Sequence, residues 1–162
     1  MRRTNFEKVI EFNRICGIQT YDNPRPEIIT DNPELTKLRL DLIIEETNEL
    51  KEAIETTNFT EVADALTDIL YVVYGAGASF GIDLNRALDM VHQSNMSKLC
   101  STEEEAIETV EWYRENEASE HYDSPAYRPC EYNDQWIVYN ESTGKILKSI
   151  HYTPADFVTF LS

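Results

Sequence analysis

Two long helical runs separated by a three-residue break constrain this chain more than any other feature. From Glu34 to about Glu55 the apolar residues Leu35, Leu38, Leu42, Ile43, Leu50 and Ile54 recur at helical spacing. Asn32-Pro33 provides an N-cap and a proline at the first helical position. Thr56-Thr57-Asn58 interrupts the pattern. A second run then extends from about Phe59 to Ser79, carrying Val62, Leu66, Ile69, Leu70 and Val73. Its second half is apolar nearly all round, which suits burial in a bundle or in a subunit interface. Gly81 follows it as a stop.

The flanking segments are mostly helical as well. Phe6, Val9, Ile10 and Ile15 predict a helix over about 4–17, with Gly17 as its end. Residues 18–33 hold Pro24, Pro26 and Pro33 and read as an irregular loop. Asp83 can cap a helix reaching about Leu99, with Leu84, Leu88 and Val91 inward. Thr102 and Glu105 have the form of a capping box, opening a short acidic helix to about Glu117. Residues 118–134 are rich in Tyr, Pro, Asp and Asn. Beyond them, Gln135–Tyr139 and Lys145–Ile150 read as strands of a hairpin with Gly144 at the turn exit, and Pro154–Leu161 as a last helical turn. The expected fold is all-α: one domain over 1–162, a four- or five-helix core over about 1–100, and a C-terminal appendage with a small β-hairpin.

Charge and composition narrow the function. With 14 Lys+Arg against 30 Asp+Glu, the formal charge is −16. Such a surface repels nucleic acid and anionic lipid alike. No apolar run is long enough to span a membrane, and the basic start leads into no signal core. The three cysteines, at 16, 100 and 130, are not a disulfide framework, and they and the three histidines lack zinc-ligand spacing. A reducing cytosol is the expected location. Only five glycines are present and no glycine-rich phosphate loop occurs.

The acids carry the chemistry. Glu45, Glu46 and Glu49 form E-E-x-x-E on the first long helix. After eleven intervening residues comes Glu61-x-x-Asp64, followed by Asp68. Positions three and four apart share a helix face. If the two helices pack antiparallel, both acid faces can meet. Several carboxylates at one point are unfavourable unless a cation joins them. Mg2+ and Mn2+ prefer such oxygen ligands and keep positions open for water and phosphate. A solvated acidic face is the plainer reading of E-E-x-x-E alone. Asp64 and Asp68 inside an apolar helix call for a further reason, because Asp is a poor helix-interior residue. A di-iron bundle would need two E-x-x-H elements, and the only acid-x-x-His here is Asp89 to His92.

The pattern resembles the all-α NTP pyrophosphohydrolases, a superfamily that includes MazG, the dimeric dUTPases and phosphoribosyl-ATP pyrophosphohydrolase. The resemblance is closest to MazG-like proteins of phages and bacteria. It extends through Glu61-Val-Ala-Asp-Ala-Leu-Thr-Asp-Ile-Leu-Tyr-Val-Val-Tyr-Gly75, through Val91-His-Gln-Ser-Asn-Met-Ser-Lys-Leu99, and through Gly144-Lys-Ile-Leu-Lys148 with Tyr152-Thr-Pro-Ala-Asp156. The S-N-M-S-K string is more specific than the acids. The resemblance implies a bundle of that superfamily's type, cutting a nucleoside triphosphate between its α and β phosphates into monophosphate and pyrophosphate. It implies two to three Mg2+ or Mn2+ ions among Glu45, Glu46, Glu49, Glu61 and Asp64. Glu46, or else Glu45, orients the attacking water. Asn95 and Lys98 suit ribose or phosphate, and Asp68 a sugar hydroxyl or the metal shell. Phe12 and Asn13 stand where relatives often have Phe-His, so a ring and an amide could serve a base. Core packing explains Phe12 equally well.

Outside the acids, a phosphate-facing role for Lys145 or Lys148 stands beside the plainer one of solvated strand edges. Trp112, Trp136, Tyr122, Tyr127, Tyr132 and Tyr139 could stack on a base, but on an appendage aromatics more often pack it together. The leading expectation is control of a deoxynucleotide pool in a bacterial or phage-infected cytosol, with dUTP or dGTP among the favoured substrates. Phosphoribosyl-ATP hydrolysis is a rival, and a non-catalytic nucleotide-binding module a second. Relatives form homodimers or homotetramers, so a second copy is the expected partner beside the nucleotide.

Overall fold

The computed structural model describes residues 3–116 and 122–162. In chain order the elements are α1 (Asn5–Ile15), α2 (Ile28–Asp31), α3 (Pro33–Glu55), α4 (Phe59–Phe80), α5 (Leu84–Met96), α6 (Glu103–Asn116), β1 (Pro125–Pro129), β2 (Trp136–Asn140) and α7 (Phe157–Leu161). They form two compact units, Met1–Ala87 with Val158–Ser162, and Leu88–Phe157.

The first unit is organised by the expected pair of long helices. Asn32 Oδ1 accepts from the Leu35 N–H at 3.1 Å and Pro33 opens α3. Both groups stabilise a first turn whose amides lack helical partners. The chain reverses through Thr56–Asn58, where Thr57 takes a positive φ of 53° and Asn58 caps α4 through the Glu61 N–H. Gly81, at φ 73°, ends α4 in the left-handed region. α3 and α4 pack against each other, and Ala53 of α3 and Ala65 and Ala76 of α4 are buried. α1 packs on α4 with the Phe6 and Tyr74 rings 5.7 Å apart. Its start is a complete capping box between Thr4 and Glu7.

The segment 18–33 is more ordered than its prolines suggest. It contains α2, which buries Ile28. Upstream, the Tyr21 N–H donates to Ala78 O at 2.9 Å and the Arg25 N–H to Phe80 O at 3.0 Å, so the last turn of α4 holds this loop. The apolar second half of α4 is buried only from Gly75 to Ser79. Earlier on the helix, Leu66, Leu70 and Tyr71 are exposed in the single chain.

In the second unit Cys100, Ala106, Val110, Tyr113, Val138 and Leu147 form one core, with Tyr122, Tyr127 and Trp136 packed against it. Half of the expected capping box forms at α6: Thr102 Oγ1 accepts from the Glu105 N–H, but the Glu105 carboxylate accepts from the N–H of Ser101, one residue before the cap. The described part of α6 ends at Asn116, so the expected end at Glu117 lies outside the described residues, as does His121.

A two-stranded antiparallel hairpin is present, but its strands differ from those expected. β2 pairs with β1, Tyr127 opposite Val138, and not with residues 145–150. The later segment adds a short stretch of pairing: the Asn140 N–H donates to Lys145 O at 2.8 Å, Tyr139 bridges Ile146, and the Leu147 N–H donates to Val138 O at 2.9 Å. The reason is where its next amides go. Lys148 N–H donates to Tyr113 Oη, Ser149 N–H to Lys98 O, and Ile150 N–H to Thr109 Oγ1. With those donors engaged, no further ladder with β2 can form. β1 was hidden in the sequence by its two terminal prolines, tolerated because they sit at the strand ends. All three cysteines are free, with Cys100 fully buried. Among the described residues no single helix is long and apolar enough to cross a membrane.

Candidate active site

Arg39, Ile43, Glu46, Leu50 and Ala53 recur at intervals of three and four along α3. Arg39 and Ala53 are buried and the other three partly so. Glu46 therefore stands on the packed face of its helix, a turn from an apolar neighbour on either side. On α4 the partly buried Asp68 lies three residues from the buried Ala65. Glu45, Glu49, Glu61 and Asp64 are exposed.

The electrostatics show which acids meet. Burial holds the Glu46 carboxyl above the usual carboxylate range, and the negative charges of Glu49, Asp68, Glu45 and Asp64 push it further the same way. Acids of both helices thus face one carboxyl. Glu61 is not among the charges acting on it and stands one turn from Asp64, toward the Thr56–Asn58 reversal. Glu46 Oε2 is buried and has no hydrogen-bond partner. None of these acids joins an ion pair among the described residues.

A divalent cation fits this donor set in chemistry, since every group is a hard oxygen and one of them is buried and unanswered. The acids are not drawn together into a finished cage. Among the described residues, no three stand close enough to hold an ion as they are. Uncompensated carboxylates spread apart by mutual repulsion.

The candidate base contacts fall into two environments. Phe12 is half exposed, its ring edge-on to Tyr71 at 5.9 Å. Asn13 is only 3% exposed and its Nδ2 has no partner. Beside it lies a feature the sequence reading missed. Arg39, 5% exposed, donates from Nε to Ser79 Oγ at 2.9 Å, while its Nη2 has no partner. Ser79 Oγ in turn donates to Gln19 O at 3.1 Å. A Cβ on Gly75 would stand 3.1 Å from Arg39 Nη1 and 3.8 Å from Asn13 Nδ2. Glycine is needed there because the guanidinium passes so close. Burial without a neighbouring anion lowers the Arg39 pKa. Its signal in the sequence was a cation seven residues before Glu46, on the same face.

The S-N-M-S-K string lies in the second unit. Its serines are structural: Ser94 Oγ donates to Tyr152 Oη at 3.0 Å, and Ser97 Oγ accepts from Thr153 N–H at 3.0 Å. They tie this string to the Tyr152-Thr-Pro-Ala-Asp156 stretch. Asn95 is exposed and Lys98 partly so, and neither side chain has a hydrogen-bond or ion-pair partner among the described residues.

The sequence model of the family described as phosphoribosyl-ATP pyrophosphohydrolase matches residues 9–95. That span contains Phe12, Asn13, all six acids and Asn95, and stops short of Lys98. An uncharacterized protein of Acanthamoeba polyphaga mimivirus is 30% identical over 243 residues, an alignment covering 99% of this chain and 96% of that protein.

Proposed function

The chain belongs to the phosphoribosyl-ATP pyrophosphohydrolase family, within the all-α NTP pyrophosphohydrolase superfamily, and from that premise we propose that it cleaves a nucleoside triphosphate between the α and β phosphates. A nucleotide pyrophosphohydrolase-type function is what the family supports. The observation that carries the finer reading is the Glu46 carboxyl, held among acids of two helices with one buried oxygen unanswered.

In this reading Glu45, Glu46, Glu49, Glu61 and Asp64 hold Mg2+ or Mn2+. Bound there, the cation supplies Lewis acidity toward phosphate oxygens and makes water more acidic. Glu46 orients a water and accepts its proton as the oxygen attacks the α-phosphorus, and pyrophosphate departs. Asp68 faces the same carboxyl and supports the ligand set or a sugar hydroxyl. Asn95 and Lys98, free to engage a ligand, contact ribose or phosphate, and Asn13 and Phe12 the base.

The natural role is deoxynucleotide pool control, with dUTP and dGTP as favoured substrates. A second copy of the chain is the partner. Leu40 and Ile44 stand one turn apart on α3 and Leu66 and Leu70 one turn apart on α4, all exposed in the single chain. Apolar surface repeated at helical spacing is what a helix-to-helix subunit contact covers.

The test is pyrophosphate release from every common NTP and dNTP with Mg2+ or Mn2+, beside a Glu46→Gln variant. Release without orthophosphate, abolished by the substitution, supports the reading, and the preferred base names the pool. Turnover of phosphoribosyl-ATP alone replaces the substrate. No release from any nucleotide overturns the enzymatic reading.

A further inference from the structure

The second unit holds a cavity of about 460 Å³ between α6 and the strand-like segment that follows β2. Trp112 and Tyr113 line it from the helix, and Lys148, Ser149, Ile150 and Tyr152 from the segment. We propose that this cavity binds a nucleotide, the base against its aromatic surface and the phosphate at the Lys148 ammonium. The site lies outside residues 9–95, the span of the family match, and calls on none of the acids of the first unit.

The wall chemistry points to this ligand. The chain has 30 Asp+Glu in 162 residues, yet none of the six lining residues is acidic. The one charged group is a cation. The Lys148 ammonium sits 4.6 Å from the Tyr152 ring centroid and is in no ion pair among the described residues. Without a carboxylate partner its charge is not neutralised, and an incoming anion supplies the counter-ion. On α6 the Glu105 carboxylate is already engaged, accepting from Ser149 Oγ and from the Ser101 N–H.

The aromatic surface is available and held in place. Trp112 is 42% exposed although a large apolar side chain gains from burial. Its ring meets Tyr113 edge-on, centroids 5.1 Å apart. Tyr113 Oη accepts from the Lys148 N–H at 3.1 Å, and Tyr152 is fixed through Ser94. The walls are therefore set before a ligand arrives, which lowers the ordering cost of binding. The volume lies within the range of small-ligand pockets. Inorganic phosphate would leave the rings unused, and a neutral aromatic would leave Lys148 unanswered. A nucleotide answers both.

The test titrates the full chain, in EDTA, with the deoxynucleoside monophosphates while following tryptophan fluorescence. The expected result is a saturable change with at least one monophosphate, lost in Trp112→Phe so that Trp136 is excluded as its source. Lys148→Met should weaken binding about tenfold and Lys148→Arg restore most of it. The matching nucleoside and inorganic phosphate should compete poorly. Glu46→Gln should leave the titration unchanged, which separates this site from the acidic one. No saturable change with any monophosphate at about 1 mM, or affinity indifferent to Lys148→Met, overturns the proposal. So does equal binding by nucleoside or by phosphate alone.

Discussion

Replacing Glu46 by Gln should stabilise the metal-free protein while removing its response to metal. The substitution keeps the shape of the side chain, deletes the negative charge at the centre of the acidic face, and adds an amide that can donate to neighbouring carboxylates. A buried acceptor without a partner costs about 1–3 kcal/mol. Only Oε2 is enclosed and the rest of the side chain is partly exposed, so the lower end applies, about 1 kcal/mol. For a chain of this length that is about 2–4 °C in Tm. The pH dependence has a definite sign. The folded carboxyl is raised above its ordinary value, so the native state holds the proton more tightly than the unfolded chain. The wild type is therefore favoured at low pH and loses stability as pH rises through the raised value. The gain in the variant should be near zero at about pH 4 and grow as pH rises through the raised value. Added Mg2+ should stabilise the wild type by about 2.7 kcal/mol at a hundredfold excess over Kd and the variant by much less. Thermal melts across pH, in EDTA and in Mg2+, measure every quantity. A variant that is less stable than wild type in EDTA at neutral pH, or that gains equally from Mg2+, would refute the reasoning.

Three other outcomes are expected. Gly81→Ala should destabilise the first unit by about 3 kcal/mol or more, since a Cβ there would stand 1.8 Å from Asn23 O on a residue at φ 73°; a melt within 1 °C of wild type would count against the loop's attachment. Asp123, held down to about 2 by hydrogen bonds from Ser142, Asn140 and Ser124, should contribute its stabilisation above about pH 4 and lose it as pH falls toward 2; carboxyl NMR should give that low midpoint, and an ordinary one would deny the network. Leu66→Glu with Leu70→Glu should convert an oligomer into monomers by light scattering while helical content is kept, and an unchanged mass would remove the α4 face from the subunit contact.

The helices were legible because their signals are local. Asn32-Pro33, Gly81, Asp83 and the Thr102–Glu105 box act within a turn of their own positions, and the structure places helix ends where those residues demand them. The acids could be paired from spacing alone, since Glu45, Glu46, Glu49, Asp64 and Asp68 need only the period of a helix and a short reversal. Burial could not be read that way. Arg39, Gly75 and Asn13 lie far apart in sequence, and only the packing of α1, α3 and α4 brings them together around a guanidinium with no anion.

Strand pairing was likewise a tertiary decision. Residues 145–150 have the composition of a strand, yet their amides are taken by Tyr113, Lys98 and Thr109, so β2 pairs with the proline-bounded segment before it. By itself the sequence determined which of the longer segments become helices and which acids share a helix face, because backbone period and capping operate over a few residues, while the short α2 escaped it. Tertiary structure alone decided that one glutamate of six acids has a buried oxygen, that an arginine is enclosed without a counter-ion, and that a lysine and three aromatic side chains line one cavity. Those outcomes depend on what the rest of the fold excludes from water, and no local pattern carries that information.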